Sequence, residues 1–129
     1  LSRYPKNKII IYPDPASRQR KTSAGGRTDL TLLQNAGLRV NCKNTHALVR
    51  DRINSVNSRL KNFDGKRNIL IDPTCKNLIN SLMKQTYREG TNQPEKNGFD
   101  HMTDALGYAV EYIFPISSNL PPSKPKRFS

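Results

Sequence analysis

Apolar and polar positions change rhythm several times along the chain, and each change marks an element. Lys8-Ile9-Ile10-Ile11-Tyr12 is continuous and β-branched rather than alternating, which suits a central strand covered on both faces. Pro13 and Pro15 end it, because neither carries the N–H a ladder requires. Asp14 therefore stands just beyond a strand's C-terminal end. Thr28 is placed to cap a helix through Leu30, Leu32, Leu33 and Ala36, and Gly37 fits its stop. Residues 38–42 alternate and read as a second strand. A helix starting at Asn44 or Thr45 follows, with Ala47, Leu48, Ile53, Val56 and Leu60 at helical spacing. Its opposite face carries Arg50, Asp51, Arg52, Asn54, Asn57 and Arg59. Asp64-Gly65 is a favoured hairpin pair, so 68–71 reads as a third strand able to pair with 60–63. Asp72-Pro73 reads as a cap and first helical residue before Leu78, Ile79, Leu82 and Met83. After a polar stretch over 88–98, a last helix spans 101–114, with Asp100 as its cap and Pro115 as its end.

Strands alternating with helices predict an α/β domain. Three strands are few for such a sheet, and only 34% of the residues are hydrophobic. A thin core follows, with sheet positions left uncovered. The chain has the length of about one domain, and no internal repeat occurs.

Charge narrows the function. Lys and Arg number 22 against 10 Asp and Glu, a net charge of +12. Such a balance favours a polyanionic partner, DNA or RNA before all others. A membrane is disfavoured, since no apolar run approaches the roughly 18 residues of a spanning helix. The two cysteines, Cys42 and Cys75, have no metal-type spacing and read as reduced thiols of an intracellular protein. No phosphate-binding G-x-x-x-x-G-K-[ST] motif occurs, which argues against an ATP site.

The candidate chemistry lies in carboxylates. Paired Mg²⁺ or Mn²⁺ ions take clustered Asp or Glu oxygens, best supplied by strand ends and a nearby helix. Asp14 fits the strand-end position and Asp104 the helix. His101 lies three residues before Asp104 and projects from the same helix face. Each also has a plainer reading: Asp14 as a turn residue, Asp104 as a helix-dipole partner, His101 as a surface residue. The loop 16–27 holds Arg18, Arg20, Lys21 and Arg27 with a Gly25-Gly26 pair, and reads as a phosphate grip or as a solvated loop.

Read together, IIIYPDPAS, the basic loop, IDPTCKNLINSLM and DHMTDALGYAVEYIFP resemble the C-terminal nuclease domain of tailed-phage terminase large subunits, the DNA-packaging motors. The resemblance spans about residues 5–116, and the DHMTDALGYAVEY segment is its most specific part. It implies an RNase H-like mixed sheet flanked by helices. It implies a two-metal, Mg²⁺- or Mn²⁺-dependent endonuclease that cuts concatemeric viral DNA in the host cytoplasm. Asp14 and Asp104 match the second and third acidic ligands, and His101 matches a histidine near the metals in some members. The first acidic ligand belongs to a strand expected upstream of Leu1, and the motor ATPase domain is absent from this sequence. The expectation is thus that residues 1–116 form the C-terminal part of a nuclease domain, weak or inactive alone, and that 117–129 form a basic Pro-rich tail. Arg18, Arg20, Lys21, Arg27 and Lys96 are the expected DNA contacts. Double-stranded DNA, the terminase small subunit and the portal are the implied partners. Two other readings stand beside this one: a non-catalytic nucleic-acid-binding domain, and an interaction piece whose tail docks to a partner.

Overall fold

A computed structural model describes residues 3–18, 28–91 and 93–116. The tail 117–129 and the loop positions 19–27 lie outside the described residues.

Among the described residues, two strands and four helices carry the fold. β1 (Ile10–Ile11) pairs in parallel with β2 (Arg39–Val40), Ile10 opposite Arg39 and Ile11 opposite Val40. The Asn41 N–H continues the ladder to the Ile11 carbonyl at 2.9 Å. Between them runs α1 (Asp29–Asn35), the kind of crossover that parallel pairing demands. Its start is fixed as the sequence predicts: the Thr28 hydroxyl accepts from the Thr31 N–H at 3.0 Å. Its exit is Gly37, whose φ of +86° only glycine adopts cheaply.

Three further helices build the other half. α2 (Val49–Leu60) and α3 (Lys76–Lys84) both pack against α4 (Asp100–Ile113). The far end of the α2/α4 contact is pinned twice. Ser55 is fully buried and its hydroxyl donates to the Phe114 carbonyl at 2.7 Å. The Arg59 guanidinium lies 3.8 Å from the centre of the Phe114 ring.

The core is as thin as the composition predicts. Only Leu38, Val56 and Val110 are buried hydrophobics, against six buried polar or charged residues, among the described residues. Stability here leans on satisfied polar contacts more than on apolar burial.

The α/β class agrees with the sequence reading, but the described sheet has two parallel strands rather than a larger mixed set. Residues 68–71 form no strand. The Asn68 and Ile69 N–H groups both turn back to the Arg59 carbonyl, at 2.8 and 3.1 Å, and Leu70 is 91% exposed. The Asp64-Gly65 turn forms, with Gly65 at φ +80°, yet no ladder grows from it. The turn signal is local, whereas a strand needs an edge to pair with.

Two other boundaries move for similar reasons. α2 begins at Val49, and 44–48 form a loop from which His46 reaches Asp14. α3 begins at Lys76, and Asp72 caps a tight turn before it: Asp72 Oδ1 accepts from the Thr74 N–H at 2.8 Å and its hydroxyl at 2.6 Å. Asp100 is the first residue of α4 rather than its cap. It is buried, its Oδ1 accepts from the Gly98 N–H at 3.2 Å, and Lys96 Nζ stands 3.4 Å from Oδ2.

Candidate active site

One stripe of α4 carries the chemistry. Asp104, Tyr108, Glu111 and Tyr112 recur at intervals of four, three and one, so they share a face. Each meets a different element. Asp104 Oδ1 accepts from Arg52 Nη2 of α2 at 2.9 Å. The Tyr108 hydroxyl donates to Asp14 Oδ2 beyond β1 at 3.0 Å. Glu111 Oε2 accepts from Lys43 Nζ at 2.6 Å. The Tyr112 ring packs 5.5 Å from that of Tyr12.

Asp14 is a turn residue and a site residue at once. Its Oδ1 accepts from the Ala16 N–H at 2.9 Å and its carbonyl from the Ser17 N–H at 2.8 Å. These bonds start a single 3-10 turn over Pro15–Arg18 and fix the carboxylate's orientation. Oδ2 is left to face Tyr108. The carboxylate remains 44% exposed.

Asp104 is held from the opposite side. The Arg52 side chain is 11% exposed and that of Asp104 22%. The guanidinium also lies 4.8 Å from the Tyr108 ring centre, a favourable cation–π geometry. The stem of Arg52 runs across Gly107, where a Cβ would sit 2.9 Å from Cγ and 3.0 Å from Cδ.

The path from one carboxylate to the other therefore runs Asp14, Tyr108, Arg52, Asp104. Both carboxylates act on the same hydroxyl. Burial first, then the hydrogen bond to Asp14, pushes the Tyr108 pKa up to about 12; Arg52 opposes this, and the charges of Asp14 and Asp104 add to it. Tyr108 is thus a fixed neutral donor at physiological pH. Arg52 borders cavities on both sides. One is a small cleft against Pro13, Pro15, His46 and Tyr108. The other, about 190 Å³, runs past Val56, Leu82, Tyr87, Asp104 and Gly107.

The loop 41–48 closes the site. Arg18 braces it, donating from Nε to the Lys43 carbonyl at 2.9 Å and from Nη2 to the Cys42 carbonyl at 2.6 Å. Lys43 ties it to α4 through Glu111, which is 6% exposed. His46 Nε2 comes within 3.5 Å of Asp14 Oδ1. Cys42 and Cys75 are both free.

The ion pair of Lys43 with Glu111 should matter for stability. Lys43→Met leaves a buried carboxylate unpaired and is expected to cost about 2 kcal/mol, below the full range for buried pairs because Lys43 keeps some solvent. Adding Glu111→Gln should restore more than half of that loss, read by urea unfolding of the two variants. Restoration of none would mean the pair contributes only packing.

The expected site residues are distributed as follows. Asp14 bonds to Tyr108 and Asp104 to Arg52, and the two are linked through the Arg52 guanidinium over the Tyr108 ring. His101 is exposed on the first turn of α4, next to Asp100; the histidine beside Asp14 is His46. Arg18 has its guanidinium on loop carbonyls, and Lys96 lies near Asp100. Arg20, Lys21 and Arg27 lie outside the described residues. Arg52, Tyr108 and His46 join the site without having been singled out from the sequence. Arg52 instead belonged to the face read as opposite the apolar stripe, and both it and Asp51 are buried.

The donor chemistry suits a hard divalent cation. Two carboxylates that keep solvent exposure, with a hydroxyl and an imidazole close by, match the oxygen-rich preference of Mg²⁺ or Mn²⁺. The set is partial: among the described residues, no three His, Cys, Asp or Glu side chains converge as a metal-holding group. Also among them, no helix is long and apolar enough to cross a membrane.

Comparison with known proteins gives one family. No curated protein and no solved structure gives a significant match. The model of the family described as the terminase RNaseH-like domain matches residues 4–112, which takes in β1, both carboxylates and nearly all of α4. This chain belongs to the terminase RNaseH-like domain family.

Proposed function

We propose that the chain is the nuclease part of a viral DNA-packaging terminase, a metal-dependent endonuclease that cuts concatemeric DNA into genome lengths. The observation that carries this reading is the joining of Asp14, beyond β1, and Asp104, on α4, through one cluster: the Tyr108 hydroxyl donates to Asp14, and the Arg52 guanidinium that holds Asp104 lies over the Tyr108 ring.

Asp14 and Asp104 would hold the divalent ions, Mg²⁺ or Mn²⁺. When bound, such ions supply the Lewis-acid charge for in-line hydrolysis of a phosphodiester. The chain's own residues prepare the place. The turn at Pro15 and the Tyr108 hydroxyl orient the Asp14 oxygens, and Arg52 orients Asp104. His46 stands beside Asp14 as a further polar group, and His101 at the rim of the same helix face. Arg20, Lys21, Arg27 and Lys96 are assigned to phosphates, and Arg18 to bracing the site loop. The net charge of +12 supports a DNA partner and implies binding that weakens steeply with salt. The small subunit and portal are the partners this role entails, in the host cytoplasm.

A second reading, a non-catalytic DNA-binding domain, is favoured by the two-carboxylate count and by the engagement of Asp104 with Arg52. Supercoiled plasmid separates them. The protein is titrated with Mn²⁺ and Mg²⁺. The nuclease reading expects nicking that requires the ion and is stopped by EDTA. Binding without nicking, indifferent to the ion, would leave only the binding domain.

A further inference from the structure

We propose that Arg52 is the resident counter-ion of the carboxylate pair, and that its guanidinium must leave Asp104 before a divalent cation is held there. The inference rests on the metal-binding reading of Asp14 and Asp104.

Three observations carry it. The guanidinium makes a 2.9 Å charge-assisted bond to Asp104 Oδ1 with both side chains largely removed from solvent, where such a bond is strongest. It sits on the contact path between the two carboxylates, over the Tyr108 ring. It also borders the cavities on both sides of that path. An ion shared by Asp14 and Asp104 must come close to the place the guanidinium holds. Together the two carboxylates and Arg52 carry a net charge of −1; without Arg52 they carry −2. A fixed positive charge a few ångströms from a divalent ion repels it, and even in a solvent-like dielectric that repulsion is worth about a tenfold change in affinity.

Arg52 is buried because α2 packs on α4 at Gly107. The close approach leaves its aliphatic stem lying over the glycine and its head reaching Asp104. This makes it a positioning residue with two effects of opposite sign. It keeps Asp104 aimed while no ion is held, and it disfavours the ion. A purely structural brace would have only the first effect, so its removal would loosen Asp104 and weaken metal binding.

The sign of the change is therefore the test. Mn²⁺ is titrated calorimetrically into the protein and into Arg52→Met, Arg52→Lys and Asp104→Asn, each checked for folding by circular dichroism. Arg52→Met should bind Mn²⁺ about tenfold more tightly than the unaltered protein. Arg52→Lys, which keeps the charge, should stay within about threefold, and Asp104→Asn should bind more weakly. Equal or weaker binding in Arg52→Met, with Asp104→Asn still impaired, overturns this proposal and leaves the metal site standing. No difference between Asp104→Asn and the unaltered protein, or no binding by any form, overturns the metal-site reading and this inference with it. Should Arg52→Met not fold, the unaltered protein decides: Mg²⁺ is added and the Arg52 Nε resonance followed. A shift that tracks occupancy supports displacement, and a resonance unmoved at saturation overturns it.

Discussion

Asp104→Asn should lower Mn²⁺-dependent plasmid nicking by at least about a hundredfold, since an amide is a poor ligand for a hard divalent ion and the shared site loses half its charge. The same variant should also lose about 2 kcal/mol of stability. Its partner Arg52 is 11% exposed, and removing the carboxylate's charge leaves a desolvated cation poorly compensated. Asp14→Asn should match the loss of nicking with a smaller loss of stability, from the bond Tyr108 donates to Oδ2. Its carboxylate is 44% exposed, and an asparagine oxygen still accepts from the Ala16 N–H and holds the turn. The pair of variants thus separates chemistry from folding: similar loss of cutting, different urea midpoints. Cutting at the unaltered rate by both variants would remove the nuclease reading.

That split reflects how the two carboxylates reach the site, and the sequence discloses them unequally. Asp14 is placed by local signals: a β-branched run and two prolines. The structure then adds the turn bonds those prolines permit. α4 is equally legible, because its stripe of Asp104, Tyr108 and Tyr112 repeats at helical spacing, and the structure finds it one residue from the predicted start. The Thr28 cap and the Gly37 exit are local chemistry too, and both appear where expected.

What the sequence hid depends on long-range placement. Arg52 lies amid Arg50, Asp51, Asn54 and Asn57, a run that by spacing alone describes a solvated helix face. Only the packing of α2 on α4 turns it inward. His46 gave no signal, since it reaches Asp14 through a loop fastened by Arg18 and Lys43 at carbonyls and a carboxylate far along the chain. The third strand does not form, for the converse reason. Asn68 to Ile71 has the composition of a strand, but its first two N–H groups find the Arg59 carbonyl, and composition does not supply a pairing edge. The glycine inside α4, Gly107, is itself a sequence signal. A mid-helix glycine costs about 1 kcal/mol relative to alanine, so its presence asks what must pass that close.

Gly107→Val answers by experiment and should lower stability by about 3 kcal/mol. Even a single added carbon at this position would meet Arg52 Cγ at 2.9 Å, Cδ at 3.0 Å and Nε at 3.3 Å. These are the middle of the side chain, held between the 2.9 Å bond to Asp104 and the Tyr108 ring, so the stem cannot swing aside without giving up both. Overpacking of this kind costs about 1–3 kcal/mol, and losing a charge-assisted bond adds about 1.5–3 kcal/mol where no solvent replaces it. Against these, valine recovers only part of the roughly 1 kcal/mol of helix propensity that glycine forgoes. Gly107→Ala should be milder, at about 1 kcal/mol, because its better propensity offsets more of the same clash. For a chain of this length the valine variant should melt about 10 °C lower by circular dichroism. A drop of under about 3 °C would mean that α2 and α4 separate easily, and that Arg52 is free to leave Asp104 without help. A large drop ties the two carboxylates' geometry to one helix crossing, with the glycine as the point through which the arginine reaches the site.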